Sequence, residues 1–431
     1  MNKRYLYQTQ APISGELTIP GDKSISHRAV ILGALACGET TITNFLNSDD
    51  CMRTVNIFRQ LGVQIEQEQM TLYISSKGAS SFSEPKQPLY LGNSGTTARL
   101  IVGVLAGLPM FITLYGDDFL TKRPMDRVTD PLQKMGATID GRCNGRNLPL
   151  MIRGQQLQGI TYRLPVKSAQ VKSALLLAGL FAQGQTTVIE KEQTRDHTEN
   201  MLKAFGAPID IYGKKITIKA MKPLTATHIN VPGDISSAAF FLTAAAIVPG
   251  SQLILRNIGL NKTRTGFLDI LEQMNARFQI YNKQTVGGER FGDISITYHP
   301  LRATNVNHKV IPRLIDEIPL IALLATQAQG TTIIQNAEEL RVKETDRISA
   351  VVHILSKLGA NIEETVDGMI IRGPTPLKGA FVSAYHDHRM AMMIAIASLV
   401  AEGMVILDDD SSINISYPQF FEHLDQIVNP I

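Results

Sequence analysis

Several segments of this 431-residue chain place cations, hydroxyls and carboxylates where a helix is expected to begin. A helix start offers unpaired N–H groups and partial positive charge, so it is a ready anion site. In the first segment Lys23, Ser24, Ser26, His27 and Arg28 cluster. Two cations and two hydroxyls there suit a phosphate or carboxylate; serine capping beside a solvated charge patch accounts for them equally well. Gly92-Asn93-Ser94-Gly95-Thr96-Thr97 would let a backbone approach a ligand closely, but a plain turn with a threonine cap needs no more. It lacks the Gly-Lys-Ser/Thr ending of a nucleotide P-loop, and no Gly-x-Gly-x-x-Gly occurs elsewhere. Arg123 precedes Pro124, which by itself reads as surface charge, and Lys167, Ser168 and Gln170 open a further helix that Ser168 could cap.

The second half of the chain adds carboxylates. Asp316 and Glu317 begin an apolar helix, where they either complement the helix dipole or supply a general base. Arg341-Val342-Lys343-Glu344-Thr345-Asp346-Arg347 is expected to start an outer helix, with Lys343 and Arg347 four apart on one face. Two like charges there need an anion between them, or pairing with Glu339, Glu344 or Asp346. His386-Asp387-His388-Arg389 opens the last apolar helix. With no further ligand at motif spacing, the weight falls on Arg389 as an anion clamp rather than on a metal. Together Lys23, Arg28, Arg123, Lys343, Arg347 and Arg389 would suit a ligand with several negative charges, and Asp316 and Glu344 are candidate proton carriers.

A net charge of only +3, with 44% hydrophobic and 19% charged residues, describes a soluble globular chain with no general nucleic-acid or membrane surface. No apolar run reaches the roughly 18 residues of a membrane helix. The N-terminal MNKRYLYQTQAP has no secretion signal, and Cys37, Cys51 and Cys143 read as buried, reduced thiols, so a cytoplasmic location is expected.

An internal repeat must position these groups. Six times the chain runs through an extended segment, a polar loop, an apolar helix, a glycine and a β-branched strand, at intervals of roughly 70 residues. The glycines Gly38, Gly107, Gly184, Gly250, Gly330 and Gly403 are expected at helix C′ positions. A second set of amphipathic helices ends at Gly62, Gly136, Gly206, Asn275 and Gly359, with a shortened sixth at Phe420–Leu424. The pattern predicts an α/β protein of six modules, three per lobe, with the first helix of each module buried and the second outside; a single solenoid would repeat in the same way. Pro20-Gly21-Asp22-Lys23-Ser24 is duplicated as Pro232-Gly233-Asp234-Ile235-Ser236, which places the crossings there. One lobe would hold residues 1–21 and 234–431, the other 22–233.

Pro20–Arg28, Gly92–Arg99, Arg123-Pro124-Met125, Arg341–Arg347 and Asp387-His388-Arg389-Met390 jointly resemble the 5-enolpyruvylshikimate-3-phosphate synthase family over essentially the whole chain. The resemblance implies a two-lobed inside-out α/β barrel, an active site in the cleft between the lobes, and no metal or organic cofactor. It implies phosphoenolpyruvate and shikimate 3-phosphate as substrates. Lys23, Ser24, Arg28, Ser168, Ala169, Gln170, Arg195, Asp316 and Lys343 would bind shikimate 3-phosphate. Lys23, Gly95, Arg123, Gln170, Arg347 and Arg389 would bind phosphoenolpyruvate. Asp316, Glu344 and Lys23 would be catalytic. Ser168-Ala169, and Ser416 before Tyr417-Pro418, resemble the second bacterial subgroup, and Gly95 leaves room for the inhibitor glyphosate where alanine would intrude. The related transferase acting on UDP-N-acetylglucosamine is disfavoured, since it usually has Asn where this chain has Ser24 and a cysteine where it has Asp117 and Asp118. A non-catalytic anion-binding scaffold would need neither Asp316 nor Glu344. With no obvious exposed apolar seam, a monomer is expected.

Overall fold

The computed structural model describes residues 3–220, 223–286 and 288–429. Apolar residues on every side force six helices into the interior: Lys23–Leu35, Gly95–Leu105, Ala169–Gly179, Ile235–Ile247, Ile318–Thr326 and His388–Ser398. Of the thirteen residues of Ile235–Ile247 all but Ser237 are buried. The amphipathic helices lie outside and bury one stripe, as Asp49–Gln60 does with Cys51, Thr54, Val55, Ile57 and Phe58.

Contacts divide the chain into two compact units. The terminal unit comprises Met1–Pro20, Pro232–Gln284 and Arg290–Ile431; the insert unit comprises Gly21–Val231 and Thr285–Glu289. Thr285–Glu289 groups with the insert unit, where Glu289 Oε1 lies 2.8 Å from His197 Nδ1. Each unit has its own apolar core and three inner helices.

The modules share one sheet pattern. In the second, Leu89–Tyr90 runs parallel to Phe111–Tyr115, the two joined through an inner helix, and Asn147–Arg153 and Thr138–Gly141 follow antiparallel. The first and fourth modules depart from it by exchanging their leading strands. Ser14–Thr18, which precedes the first inner helix, pairs with Gln252–Gly259 of the fourth module. His228–Asn230, which precedes the fourth inner helix, pairs with Ala36–Thr43 of the first. Arg4–Leu6 completes the sheet of the sixth module, beside Val405–Leu407.

The outer-helix terminators fall where the sequence places them. Gly62, Gly136, Gly206, Asn275 and Gly359 all take positive φ, one residue after the C-cap of an outer helix. The other glycine series does not cap the inner helices. Gly38, Gly184, Gly250, Gly330 and Gly403 have positive φ, but they lie farther on: Gly184, Gly250 and Gly403 before the following strands, Gly330 at the first residue of one and Gly38 inside one. Gly107 is outside the left-handed region and serves packing: a Cβ there would stand 2.4 Å from Phe181 Cβ. All three cysteines are free thiols as expected, but only Cys51 is buried, and burial raises its thiol pKa; Cys37 is exposed on a strand and Cys143 in the short turn Arg142–Gly145. Among the described residues no helix is long and apolar enough to cross a membrane.

Gly103 sets the approach of two inner helices, since a Cβ there would lie 2.2 Å from the Ala174 carbonyl oxygen. Gly103→Ala therefore forces Gly95–Leu105 and Ala169–Gly179 apart. We expect it to lower the stability measured by urea denaturation by about 1–3 kcal/mol.

Candidate functional site

Polar side chains gather at the N-terminal ends of the inner helices, because nothing else on those helices faces away from the core. In the insert unit Asp22 caps Lys23–Leu35, its Oδ1 accepting from Ile25 N at 2.8 Å. Lys23, the first helical residue, places Nζ 3.1 Å from Asp50 Oδ2. Arg28 is buried one turn on, and its guanidinium donates to Ser24 O at 2.9 Å, Thr198 Oγ1 at 2.6 Å and Ser173 Oγ at 2.9 Å. Three elements of the fold therefore fix the direction of this cation.

A second cluster surrounds Gly95. Ser94 caps that inner helix. Arg123 Nη2 donates to Asn93 Oδ1 at 2.6 Å. Arg99 Nη1 donates to Gln170 Oε1 at 2.7 Å, and Gln170 Nε2 donates to Thr96 Oγ1 at 3.0 Å. A Cβ at Gly95 would stand 3.0 Å from Nη1 of both Arg123 and Arg99, so glycine admits the two guanidiniums. Ser168 caps the Ala169–Gly179 helix, and Arg195 is half-buried two residues before the outer helix His197–Ala204. The clusters are tied by a buried chain of polar contacts: His27 Nδ1 to Thr54 Oγ1 at 2.7 Å, Thr54 to Thr97 at 2.8 Å, and Thr97 to Ser94 at 2.7 Å. Burial, with Lys23 and Arg28 nearby, holds the His27 imidazole well below its ordinary pKa, so this link is neutral.

The terminal unit holds a charged array. Asp316 Oδ1 lies 3.2 Å from Lys343 Nζ and 3.4 Å from Arg347 Nη1. Arg347 is only 1% exposed; Asp387 meets it at 2.7 and 3.2 Å, and Glu344 at 2.8 Å. Burial disfavours this cation, but the Asp387, Glu344 and Asp316 carboxylates outweigh burial and raise its pKa. Arg389 Nη1 donates to the Asp316 carbonyl at 3.2 Å, and Asp387 Oδ1 also accepts from Arg389 N, capping His388–Ser398. Tyr385 and His386, just before the cap, both take positive φ, a conformation that costs non-glycine residues about 1–3 kcal/mol each.

The helix expected to start at Arg341 starts at Arg347. Glu338–Val342 is a 3-10 turn, and Asp346 caps the helix by accepting from Ile348 and Ser349 N. Lys343 precedes the helix, so it does not share a helical face with Arg347. The two meet instead at Asp316, an anion from another element. The duplicated motif also differs between the units. In the terminal unit Ile235, buried, stands where Lys23 does, and Arg264 Nη2 fills the helix end through Ser236 Oγ at 2.7 Å and Asp234 Oδ1 at 3.2 Å. Sequence reasoning missed Asp50, Asn93, Arg99, Ser173 and Thr198 as partners. Arg99 stands at the edge of a motif already singled out, whereas Asp50 lies in the first turn of an outer helix, where no motif marks it. Among the described residues no group of three or more His, Cys, Asp or Glu side chains could hold a metal ion.

The profile of the family described as EPSP synthase (3-phosphoshikimate 1-carboxyvinyltransferase) matches residues 7–424. The chain belongs to this family. A 3-phosphoshikimate 1-carboxyvinyltransferase of Oceanobacillus iheyensis is 55% identical over 428 residues, 99% of this chain and all of that one. One of Bacillus subtilis is 53% identical over 416 residues, covering 96% and 97%. A solved EPSP synthase structure from Acinetobacter baumannii superposes with a TM-score of 0.89 at 40% identity, covering 99% of this chain and 98% of that one.

The burial of Arg347 makes its partners indispensable. We expect Asp387→Ala to cost about 3–5 kcal/mol in chemical denaturation, because it removes the two-oxygen partner of a buried cation and leaves it to Glu344 and Asp316. Asp387→Asn, which keeps a good helix cap, should cost less.

Proposed function

We propose that the arrays of the two units act together on one substrate pair. The reaction is transfer of the enolpyruvyl group of phosphoenolpyruvate to the 5-hydroxyl of shikimate 3-phosphate, with release of phosphate, in the shikimate route to aromatic amino acids. The observation that carries this reading is Asp316 held against Lys343 and Arg347, with Arg389 on its own carbonyl. Membership of the family supports it.

The roles are those that resemblance to the family implies. Lys23, Ser24, Arg28, Ser168, Ala169, Gln170, Arg195, Asp316 and Lys343 bind shikimate 3-phosphate. Lys23, Gly95, Arg123, Gln170, Arg347 and Arg389 bind phosphoenolpyruvate. Protonation of the phosphoenolpyruvate methylene makes C2 electrophilic; Glu344, 2.8 Å from Arg347, serves that transfer together with Lys343. Asp316 accepts the proton of the 5-hydroxyl as its oxygen bonds to C2. The tetrahedral adduct then loses phosphate from C2 and a proton from the methyl group, which restores the enol ether. The cations stabilise the phosphate, carboxylate and leaving-group charges throughout. The protein works in the cytoplasm as a monomer.

Purified protein given phosphoenolpyruvate and shikimate 3-phosphate should release phosphate, and UDP-N-acetylglucosamine should not replace the shikimate. Asp316→Ala should lower kcat on the order of 10²–10⁴-fold, as expected on loss of a general base, and Lys23→Ala should abolish release. Absence of release from folded protein would sink the assignment, and release with the nucleotide sugar would move it to the related transferase. Glyphosate should inhibit the enzyme. Gly95→Ala, by displacing Arg123 and Arg99, should weaken that inhibition and raise the KM for phosphoenolpyruvate; full activity of the unmodified enzyme at high glyphosate would refute the first of these.

A further inference from the structure

Lys172 has no part in the reaction described above, yet it is the one cation on an inner helix that is 0% exposed. It lies on Ala169–Gly179 among leucines and alanines. Its Nζ is 2.6 Å from Glu199 Oε1 and 3.1 Å from Glu190 Oε1, and both carboxylates are buried. Such a triad is a poor route to stability, because taking three charges out of water costs several kcal/mol per ion and an apolar side chain would fill the space at no such cost.

The two carboxylates lead to phosphate-directed cations. Glu190 Oε1 accepts from Thr194 N at 3.0 Å and from Thr194 Oγ1 at 2.5 Å, and Thr194 adjoins Arg195. Glu199 adjoins Thr198, whose Oγ1 accepts from Arg28 Nε at 2.6 Å. Ser173, the residue after Lys172, spends its proton on Ala169 O at 2.7 Å. Its oxygen therefore accepts from Arg28 Nη2 at 2.9 Å and from the Thr198 hydroxyl at 2.6 Å. Every hydroxyl proton in this set has a defined direction. One buried ammonium thus anchors the turn before Arg195 and the first turn of the helix His197–Ala204, which aims Arg28.

We propose that Lys172 is a positioning residue for substrate: through Glu190–Thr194 and Glu199–Thr198 it fixes the two guanidiniums, Arg195 and Arg28, that hold the phosphate of shikimate 3-phosphate. This rests on the function proposed above. Lys172 touches no substrate. It acts by removing rotational freedom from the phosphate ligands before binding, so its loss falls on one substrate only.

The test uses the full-length enzyme in two variants. Lys172→Met removes the anchor but leaves two buried carboxylates without their cation, and its folding is checked by circular dichroism. Thr194→Val keeps the charged triad and removes a single hydroxyl contact. KM is measured for each substrate, with calorimetric binding of shikimate 3-phosphate alone. We expect Thr194→Val, and Lys172→Met where it folds, to raise the KM and the Kd for shikimate 3-phosphate about tenfold, a loss near 1.4 kcal/mol, while the KM for phosphoenolpyruvate stays within about twofold. Lys172→Arg should restore much of the loss. A folded Thr194→Val enzyme with an unchanged KM for shikimate 3-phosphate, or with equal losses for both substrates, would overturn the proposal whatever Lys172→Met does. If the unmodified protein binds no shikimate 3-phosphate, the proposed reaction falls, and the positioning role with it.

Discussion

A helix packed on all sides by apolar neighbours can present polar groups to a ligand only where it ends. Its first turn also needs partners for N–H groups that the helix itself cannot supply. Both demands meet at the starts of the six inner helices. Asp22, Ser94, Ser168, Asp234 and Asp387 answer them as side-chain caps. Once the inner helices are buried, the candidate functional side chains have few other places to be, which is why Lys23, Gly95, Gln170, Asp316 and Arg389 all lie at or just before the start of one, in five of the six modules.

The two units solve the problem of a buried guanidinium differently. Arg28 is steered by a carbonyl and two hydroxyls, neutral oxygens that fix direction. Arg347 is surrounded by Asp316, Glu344 and Asp387, which make it a permanent cation and a crossing point for three segments. The duplicated helix start of the terminal unit takes a third course, satisfying itself with Arg264. The two copies differ in charge at two points, with Ile235 and Phe240 standing where Lys23 and Arg28 do.

Much of this was legible in the sequence, because it is local. The inner and outer helices follow from apolar periodicity, and the outer terminators from Gly or Asn at one offset. Of the caps, only Ser168 matches its expectation; Asp22 caps where a serine is expected and Ser94 where a threonine is, because neighbouring short polar side chains compete for the same N–H groups. What stayed hidden depends on contacts distant in the chain. Lys343 and Arg347 showed that an anion was needed but not that Asp316 would supply it. Lys172 stood inside an apolar pattern with nothing nearby to mark Glu190 and Glu199 as its partners. The helix after Arg341 was placed too early because its charged residues look alike, and only Asp346 has the geometry of a cap. The duplicated Pro-Gly-Asp motif marks where the chain crosses, but the strand partners of Ser14–Thr18 and His228–Asn230 stay hidden, since a short extended segment carries no mark of which neighbour it will pair with.

That exchange has a consequence for how the chain is made. The segment leading into Ser14–Thr18 is held by partners far downstream: Ile13 N donates to Ser251 Oγ, 238 residues away. At a synthesis rate of about 5–20 residues per second, the strand waits roughly 12–50 s for that partner. The insert unit is nearly contiguous and can form in the meantime, with His228–Asn230 closing its first sheet as the crossing is reached. An unpaired strand is an aggregation hazard. This one reads Ser-Gly-Glu-Leu-Thr and buries only Leu17, so it is poorly suited to pair with a stranger while it waits.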